Sequence, residues 1–303
     1  MKRIGVALLV SIMVLLSGCS SGTPESAGSS STDTPAGSAA ETASEETPEA
    51  TEAAKENTAL TLEETVIYDE NNIKITATGI KDDGFLGPEL ELLIENNGEQ
   101  NTTVGLDYCM VNGYMMNELL SVEVAAGKKS NETLDFMNSD LKTCGIDQIT
   151  DITLKLRISD SETYHILYRT EEINLQTSMA GSYEQVYDDS GEVIYDANGI
   201  RVVARGVGEE FLGQGVEFYL ENNTEQPVTV RSENVSVNGF MVTDWFYVDL
   251  APHSHAVDTL TLLDSELADN AIETIEEVEM SLQITDSDSY AVIDSTEPIT
   301  LNF

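Results

Sequence analysis

The phrase "VNGYM" at 111–115 returns as "VNGFM" at 237–241, and the chain around it returns too. "VIYD" stands at 66–69 and 193–196, and "FLG" at 85–87 and 211–213. "LIENNGEQ" at 93–100 matches "YLENNTEQ" at 219–226. "NSDLKTCGI" at 138–146 matches "DSELADNAI" at 264–272, and "ISDSETY" at 158–164 matches "ITDSDSY" at 284–290. After one single-residue slip near 81–85, the spacing holds at 126 residues to the end of the chain. A register kept that long points to two copies of one domain. They are expected at 61–177 and 192–303, joined by a linker at 178–191 that is rich in Gly, Ser and charge.

Within each copy the apolar residues alternate with period two. Leu90, Leu92 and Ile94 lie on one face, with Glu91 and Glu95 on the other. Val216, Phe218 and Leu220 repeat this around Glu217 and Glu221. Ile152, Leu154, Leu156 and Ile158 stand against Thr153, Lys155 and Arg157, and Val278, Met280, Leu282 and Ile284 are their counterparts. Ile73, Ile75 and Ala77, with Ile200, Val202 and Ala204, mark an early strand. One apolar and one polar face per strand suit an antiparallel sandwich. The Asn-Gly pairs at 112–113 and 238–239 accept the positive φ values of a tight hairpin turn. One short helical turn per copy is expected, capped by Ser139 or Ser265. Leu141 or Leu267, with Ile146 or Ile272, would pin that turn to the sheet edge. The fold class is therefore all-β: two tandem immunoglobulin-like antiparallel sandwiches.

The N-terminus reads as a targeting segment. Lys2 and Arg3 precede an apolar run from Ile4 to Leu16. That run is too short to span a hydrocarbon core, which needs about 20 helical residues, so residues 1–18 read as a signal peptide. It ends in "LSGC", Leu16 to Cys19, which resembles the bacterial lipobox. The resemblance implies that Cys19 carries a diacylglycerol and becomes the first residue. The membrane would then be a partner through this lipid, with the protein on the extracellular face. Residues 20–58 contain no aromatic, Ile, Val, Leu or Met. Such a segment cannot bury enough apolar surface to order itself, so 19–60 reads as lipidated cysteine plus disordered acidic stalk.

Taken with "VEVAAGKKS" at 122–130 and the phrases above, residues 62–303 resemble the uncharacterised lipoproteins of Gram-positive bacteria that carry tandem immunoglobulin-like domains. The resemblance implies fold, anchor and surface location, and no activity. The second copy departs from it at "APHSHA", 251–256, where the first has "AAGKKS", 125–130.

Charge narrows the partners. Asp plus Glu number 55 against 14 Lys plus Arg, a net charge of −41, so a nucleic-acid partner is disfavoured. Chemistry is sparse. His253 and His255 flank Ser254 in an expected loop, but no cysteine pair completes a zinc site. Ser254, His255 and Asp258 lack the G-x-S-x-G elbow of a hydrolase triad. No H-E-x-x-H or phosphate loop occurs, so no catalytic residue, metal site or cofactor is expected. "DSDS" at 286–289 and "YDDSGE" at 187–192 offer calcium-type oxygens without EF-hand spacing. Cys109 falls on an apolar strand position and Cys144 after the helical turn, where it is expected at the surface. A bridge between them is left open.

The binding candidates are aromatic. In "MVTDWFYVDL", 241–250, Phe246, Val248 and Leu250 form the inward set, which turns Trp245 and Tyr247 outward. The first copy has Leu119 and Ser121 there. Trp245 and Tyr247 would stack on a sugar, dock a protein or pack against the other domain. The expected function is a non-enzymatic surface binding or adhesion module for a protein or polysaccharide. The alternatives are a structural or accessory lipoprotein of an envelope complex and, further off, an enzyme acting on cell-wall polymers. Oligomeric state is not legible.

Overall fold

The computed structural model describes residues 59–210, 213–243 and 245–303. The expected signal peptide, Cys19 and nearly all of the stalk lie outside these residues. The first half forms β1 (Thr65–Glu70), β2 (Ile73–Lys81), β3 (Glu89–Asn96), β4 (Thr102–Val111), β5 (Tyr114–Met116), β6 (Ser121–Val124), β7 (Lys128–Asp135), α1 (Asn138–Thr143), β8 (Asp151–Asp160), β9 (Ile166–Arg169) and β10 (Ile173–Gln176). The second half gives the same order: β11 (Glu192–Ala197), β12 (Ile200–Glu210), β13 (Gly213–Asn222), β14 (Val228–Val237), β15 (Phe240–Met241), β16 (Tyr247–Leu250), β17 (Ser254–Leu263), α2 (Asp264–Asp269), β18 (Glu277–Asp286), β19 (Val292–Ser295) and β20 (Ile299–Asn302). No helix among the described residues is long and apolar enough to cross a membrane.

Each half is a sandwich. In the first, β1, β2, β3 and β7 make one layer, all antiparallel. β4 and β8 centre the other, with β5 and β6 along one edge and β9 and β10 along the other. The chain crosses between layers from β3 to β4 and from β6 to β7, and pairs β3 with β7 and β4 with β8. This is the Greek-key pairing of an immunoglobulin-like sandwich. The second half repeats it, pairing β13 with β17 and β14 with β18.

The alternating residues fill the cores. Ile75, Leu92, Ile94, Leu154 and Leu156 are among the buried residues of the first core, and Val202, Phe218, Leu220, Met280 and Leu282 of the second. Each core also holds one buried asparagine from the "ENN" phrase. Asn96 Nδ2 donates to the Val124 and Gln100 carbonyls at 2.8 Å. Asn222 Nδ2 donates to the carbonyls of Gln226 and Ala251 at 2.9 Å. A buried amide so satisfied ties the β3–β4 and β13–β14 turns to the facing layer.

The helical turns form where expected, with Leu141 and Leu267 buried. Their caps differ from expectation. Met137 and Leu263, both extended, hold the N-cap positions, and no side chain caps either helix. Ser139 lies inside the first turn and donates to Asp140 at 2.9 Å. In α1 the first N–H needs no serine, because Asn138 N–H donates to the Leu86 carbonyl at 2.9 Å.

Strand pairing ties the halves together. The β4–β8 sheet of the first sandwich and the β13–β17 sheet of the second merge through β5 and β17, which pair in parallel at Tyr114 and His255, so one ten-stranded sheet runs through both sandwiches. The entry and exit of the first sandwich are clamped together, next to Thr150, whose carbonyl the Thr177 N–H reaches at 3.0 Å. Thr61 N–H donates to Ser178 Oγ at 3.0 Å, Ser178 N–H to the Thr61 carbonyl at 2.9 Å, and Ser178 Oγ to the Ala59 carbonyl at 2.9 Å.

Candidate functional site

The joint between the sandwiches is built from residues that face outward on their own strands. In β13, Phe218 and Leu220 point into the second core, which turns Tyr219 to the opposite face. There Tyr219 and Val203 are buried against the first core. His255, the second residue of β17, hydrogen-bonds through Nδ1 to the Tyr219 hydroxyl at 2.7 Å. Its ring stacks on Tyr187 at 3.8 Å between centroids, and Tyr114 stands at 5.8 Å. His255 N–H donates to the Gly113 carbonyl at 2.9 Å.

The segment 178–191 carries no strand or helix, yet it is held as a strap. Tyr187 donates to the Asn112 carbonyl at 3.0 Å, and Tyr183 to the Gly145 carbonyl at 3.2 Å. Arg201 pairs with Asp189 at 2.9 Å, and Arg205 donates to the Asp188 carbonyl while lying over the Tyr219 ring.

Burial holds the His255 imidazole below its usual 6.5, opposed by the charge of Glu221. Folding therefore favours the neutral ring. Its contribution is complete above pH 6.5, and is lost as pH falls through that value toward the depressed folded one. Tyr114, Tyr187, Tyr219 and Glu221 face the ring, with Arg205 beyond Tyr219. We expect the urea midpoint to fall more steeply below pH 6.5 in the wild type than in His255→Gln. Parallel profiles for the two proteins would refute the assignment.

The aromatic pair lies where the chain enters β16. Phe246, Val248 and Leu250 point inward, and Phe246 meets Phe218 at 5.0 Å. Trp245 and Tyr247 point outward, 68% and 57% exposed. Tyr247 borders a groove of about 400 Å³ between the sandwiches, whose far wall includes Tyr108, Met115, Leu119 and Arg157. An adjoining cavity of about 620 Å³ shares Asp107, Tyr108, Met115 and Asp249 with it and adds Lys155 and Glu172. Asp107 is bridged to Arg169 at 2.7 Å and to Arg157 at 3.4 Å. Tyr108 donates to Glu172, and its hydroxyl pKa is raised, first by burial and then by that carboxylate. At the groove's end, burial pushes the Glu118 carboxyl up while the Met137 N–H pulls it down. The groove is thus lined by the Tyr108 and Tyr247 rings together with fixed charges of both signs, Asp107 and Arg157.

The other candidates are dispersed. "APHSHA" is not wholly a loop, because β17 begins at Ser254. Ser254 is buried and donates to the Ala251 carbonyl at 2.8 Å, while its neighbour His255 faces the joint, so no triad assembles. His253 turns instead to Glu225 at 3.1 Å. In "DSDS", Asp286 Oδ1 accepts from the Ser289 N–H and hydroxyl at 2.7 Å, which lowers its pKa and closes the turn. Among the described residues, no three His, Cys, Asp or Glu side chains are grouped to hold a metal. Cys109 and Cys144 are free thiols. Cys144, expected at the surface, is 7% exposed: it packs into the first core beneath the strap, and burial raises its pKa.

The tyrosines and histidine of the joint escaped the sequence reading. Their signal was the contrast between copies: Tyr219 and His255 stand where the first copy has Leu93 and Lys129.

No family model matches the chain, and no curated protein matches it. Among solved structures it is similar to the YadV chaperone, with 11% identity over 71% of this chain and 92% of that one, at a TM-score of 0.23. It is similar also to the Salmonella enterica SafA pilin in complex with the SafB chaperone, with 14% identity, 71% and 89% coverage and a TM-score of 0.21. The Amycolatopsis orientalis exo-chitosanase CsxA matches at 13% identity and a TM-score of 0.22 over 74% of this chain, which spans 26% of the enzyme. Likenesses of this size leave the sandwich assignment to the strand pairing itself.

Proposed function

We propose that the chain is a lipid-anchored, non-enzymatic binding module on the extracellular face of the cell membrane. Cys19 carries the anchor, the acidic stalk lifts the folded part, and the Trp245–Tyr247 face takes a protein or polysaccharide. The observation that supports this is the pair of exposed aromatic rings where the chain enters β16, with Tyr247 bordering a ready-formed groove. Exposed rings with two rotatable side-chain bonds bind at low entropic cost.

Trp245 is the one tryptophan of the chain, so its fluorescence reports directly on that face. We expect a screen of cell-wall polysaccharides and envelope proteins to find a ligand that shifts this emission. Trp245→Ala should bind it about tenfold more weakly or worse, with stability changed by no more than about 0.5 kcal/mol. A ligand that binds both proteins equally would remove Trp245 from the site.

A structural role in an envelope complex is the second reading, favoured by the joint that makes the two sandwiches one continuous sheet. A complex recovered from membranes in detergent, and retained by Trp245→Ala, would support it instead.

A further inference from the structure

The edge of the second sandwich repeats the strand with which the first sandwich holds its neighbour. β5 and β15 each follow an Asn-Gly turn in the left-handed region, with φ of 48° and 79° at Asn112 and Gly113, and 49° and 82° at Asn238 and Gly239. Each pairs back on the preceding strand, Val111 with Tyr114 and Val237 with Phe240. On β5 the outer side is taken by β17, and Tyr114 is 1% exposed. β15 ends its sheet, leaving Phe240 and Met241 49% and 64% exposed. The two glycines record the difference. A Cβ on Gly113 would meet the Tyr187 hydroxyl at 2.7 Å, whereas one on Gly239 would meet nothing within 4 Å.

The strand that docks on β5 also has an open counterpart. β7 corresponds to β17 and ends the β1–β2–β3–β7 sheet of the first sandwich. Lys129 stands where His255 stands. It is paired with Glu95 on the next strand, and its side chain is still 62% exposed. Docked as β17 docks on β5, Lys129 N–H would reach the Gly239 carbonyl, and its ammonium would lie over the Phe240 ring. Charge agrees. Residues 192–303 hold 22 carboxylates and three arginines, with no lysine, and the β7 edge offers Lys128 and Lys129. Lysine on an open edge discourages pairing with neutral strands. Against an acidic sandwich the same charge favours pairing and makes it salt-sensitive.

We propose that two copies of this chain associate head to tail, β7 of one against β15 of the next, in the parallel register that β17 and β5 already use. A heterologous contact of this kind leaves one open edge at each end, so it continues into rings or filaments.

The test is sedimentation of the chain from Lys55 to Phe303, which is one compact unit. In low salt the average mass should rise with concentration, and high salt should reverse it. Phe240→Glu and Lys129→Glu each replace an exposed side chain, and each should weaken association about tenfold or more. An equimolar mixture of the two variants should form dimers that grow no further, because each supplies the edge that the other lacks. Leu119, the counterpart of Trp245, stays 93% exposed beside the occupied joint. Trp245→Ala should therefore leave association unchanged, which lets this proposal and the ligand reading fail separately. Monomers at every concentration, association that survives both substitutions, or a mixture that does not pair would each overturn it.

Discussion

Tyr114→Ala is expected to lower the stability of the first sandwich by about 3–5 kcal/mol, the usual cost of deleting a buried aromatic ring, and to split unfolding into two transitions. Tyr114 is 1% exposed and serves two structures at once. It belongs to the first core, and it is the residue of β5 that faces His255 across the parallel bridge. Its ring meets Tyr187 at 5.3 Å and His255 at 5.8 Å. Removing it takes support from the core, the strap and the shared sheet together. In the wild type, Trp245 fluorescence reports on the second sandwich and far-ultraviolet circular dichroism on both. The two urea curves should coincide if the shared sheet makes the halves cooperative. In the variant the dichroism curve should move to lower urea and part from the fluorescence curve. Coincident curves in Tyr114→Ala would mean that the coupling runs elsewhere.

The second large effect is expected at Asn112. Its backbone sits at φ 48°, where a residue with a Cβ and no local hydrogen bond is strained by about 1–2 kcal/mol. The side chain is a staple as well. Oδ1 accepts from the Thr150 N–H at 2.8 Å, the Thr150 hydroxyl at 2.9 Å and the Asp151 N–H at 3.3 Å. Nδ2 donates to the Gln148 carbonyl at 2.8 Å and to Gln185 of the strap at 3.1 Å. Alanine would leave buried groups without partners, at about 1–3 kcal/mol each. Asn112→Ala should therefore cost about 3–4 kcal/mol in denaturant titration. Asn112→Gly should recover the backbone part and keep the rest of the loss. Asn238→Ala should cost less, since among the described residues its side chain has no counterpart of the Gln185 strap contact: it bonds the Glu276 and Glu277 N–H groups and the Thr274 carbonyl. Equal losses at Asn112 and Asn238 would contradict this account.

The fold was legible because alternation decides which face of a strand is buried, and the same alternation was written twice. The outward turn of Trp245 and Tyr247 followed from Phe246, Val248 and Leu250 alone. The Asn-Gly turns were legible as backbone geometry. Their amide partners were not, because Thr150 and Glu276 lie far along the chain, and no local pattern announces such a contact. The joint was hidden for a related reason. His255 and Tyr219 face away from their own core, so on a single strand they read as solvent-facing. What covers them is another sandwich and the Tyr187 strap. Cys144 was misplaced by the same logic: beside a helical turn it reads as surface, and the strap buries it.

The clamp at Ser178 has a mechanical consequence. A chain pulled from its N-terminal end passes tension into residue 59. The Thr61 and Ser178 bonds pass that load to the start of the strap. A load applied at residue 59 reaches these few hydrogen bonds before it reaches the strands of the first sandwich.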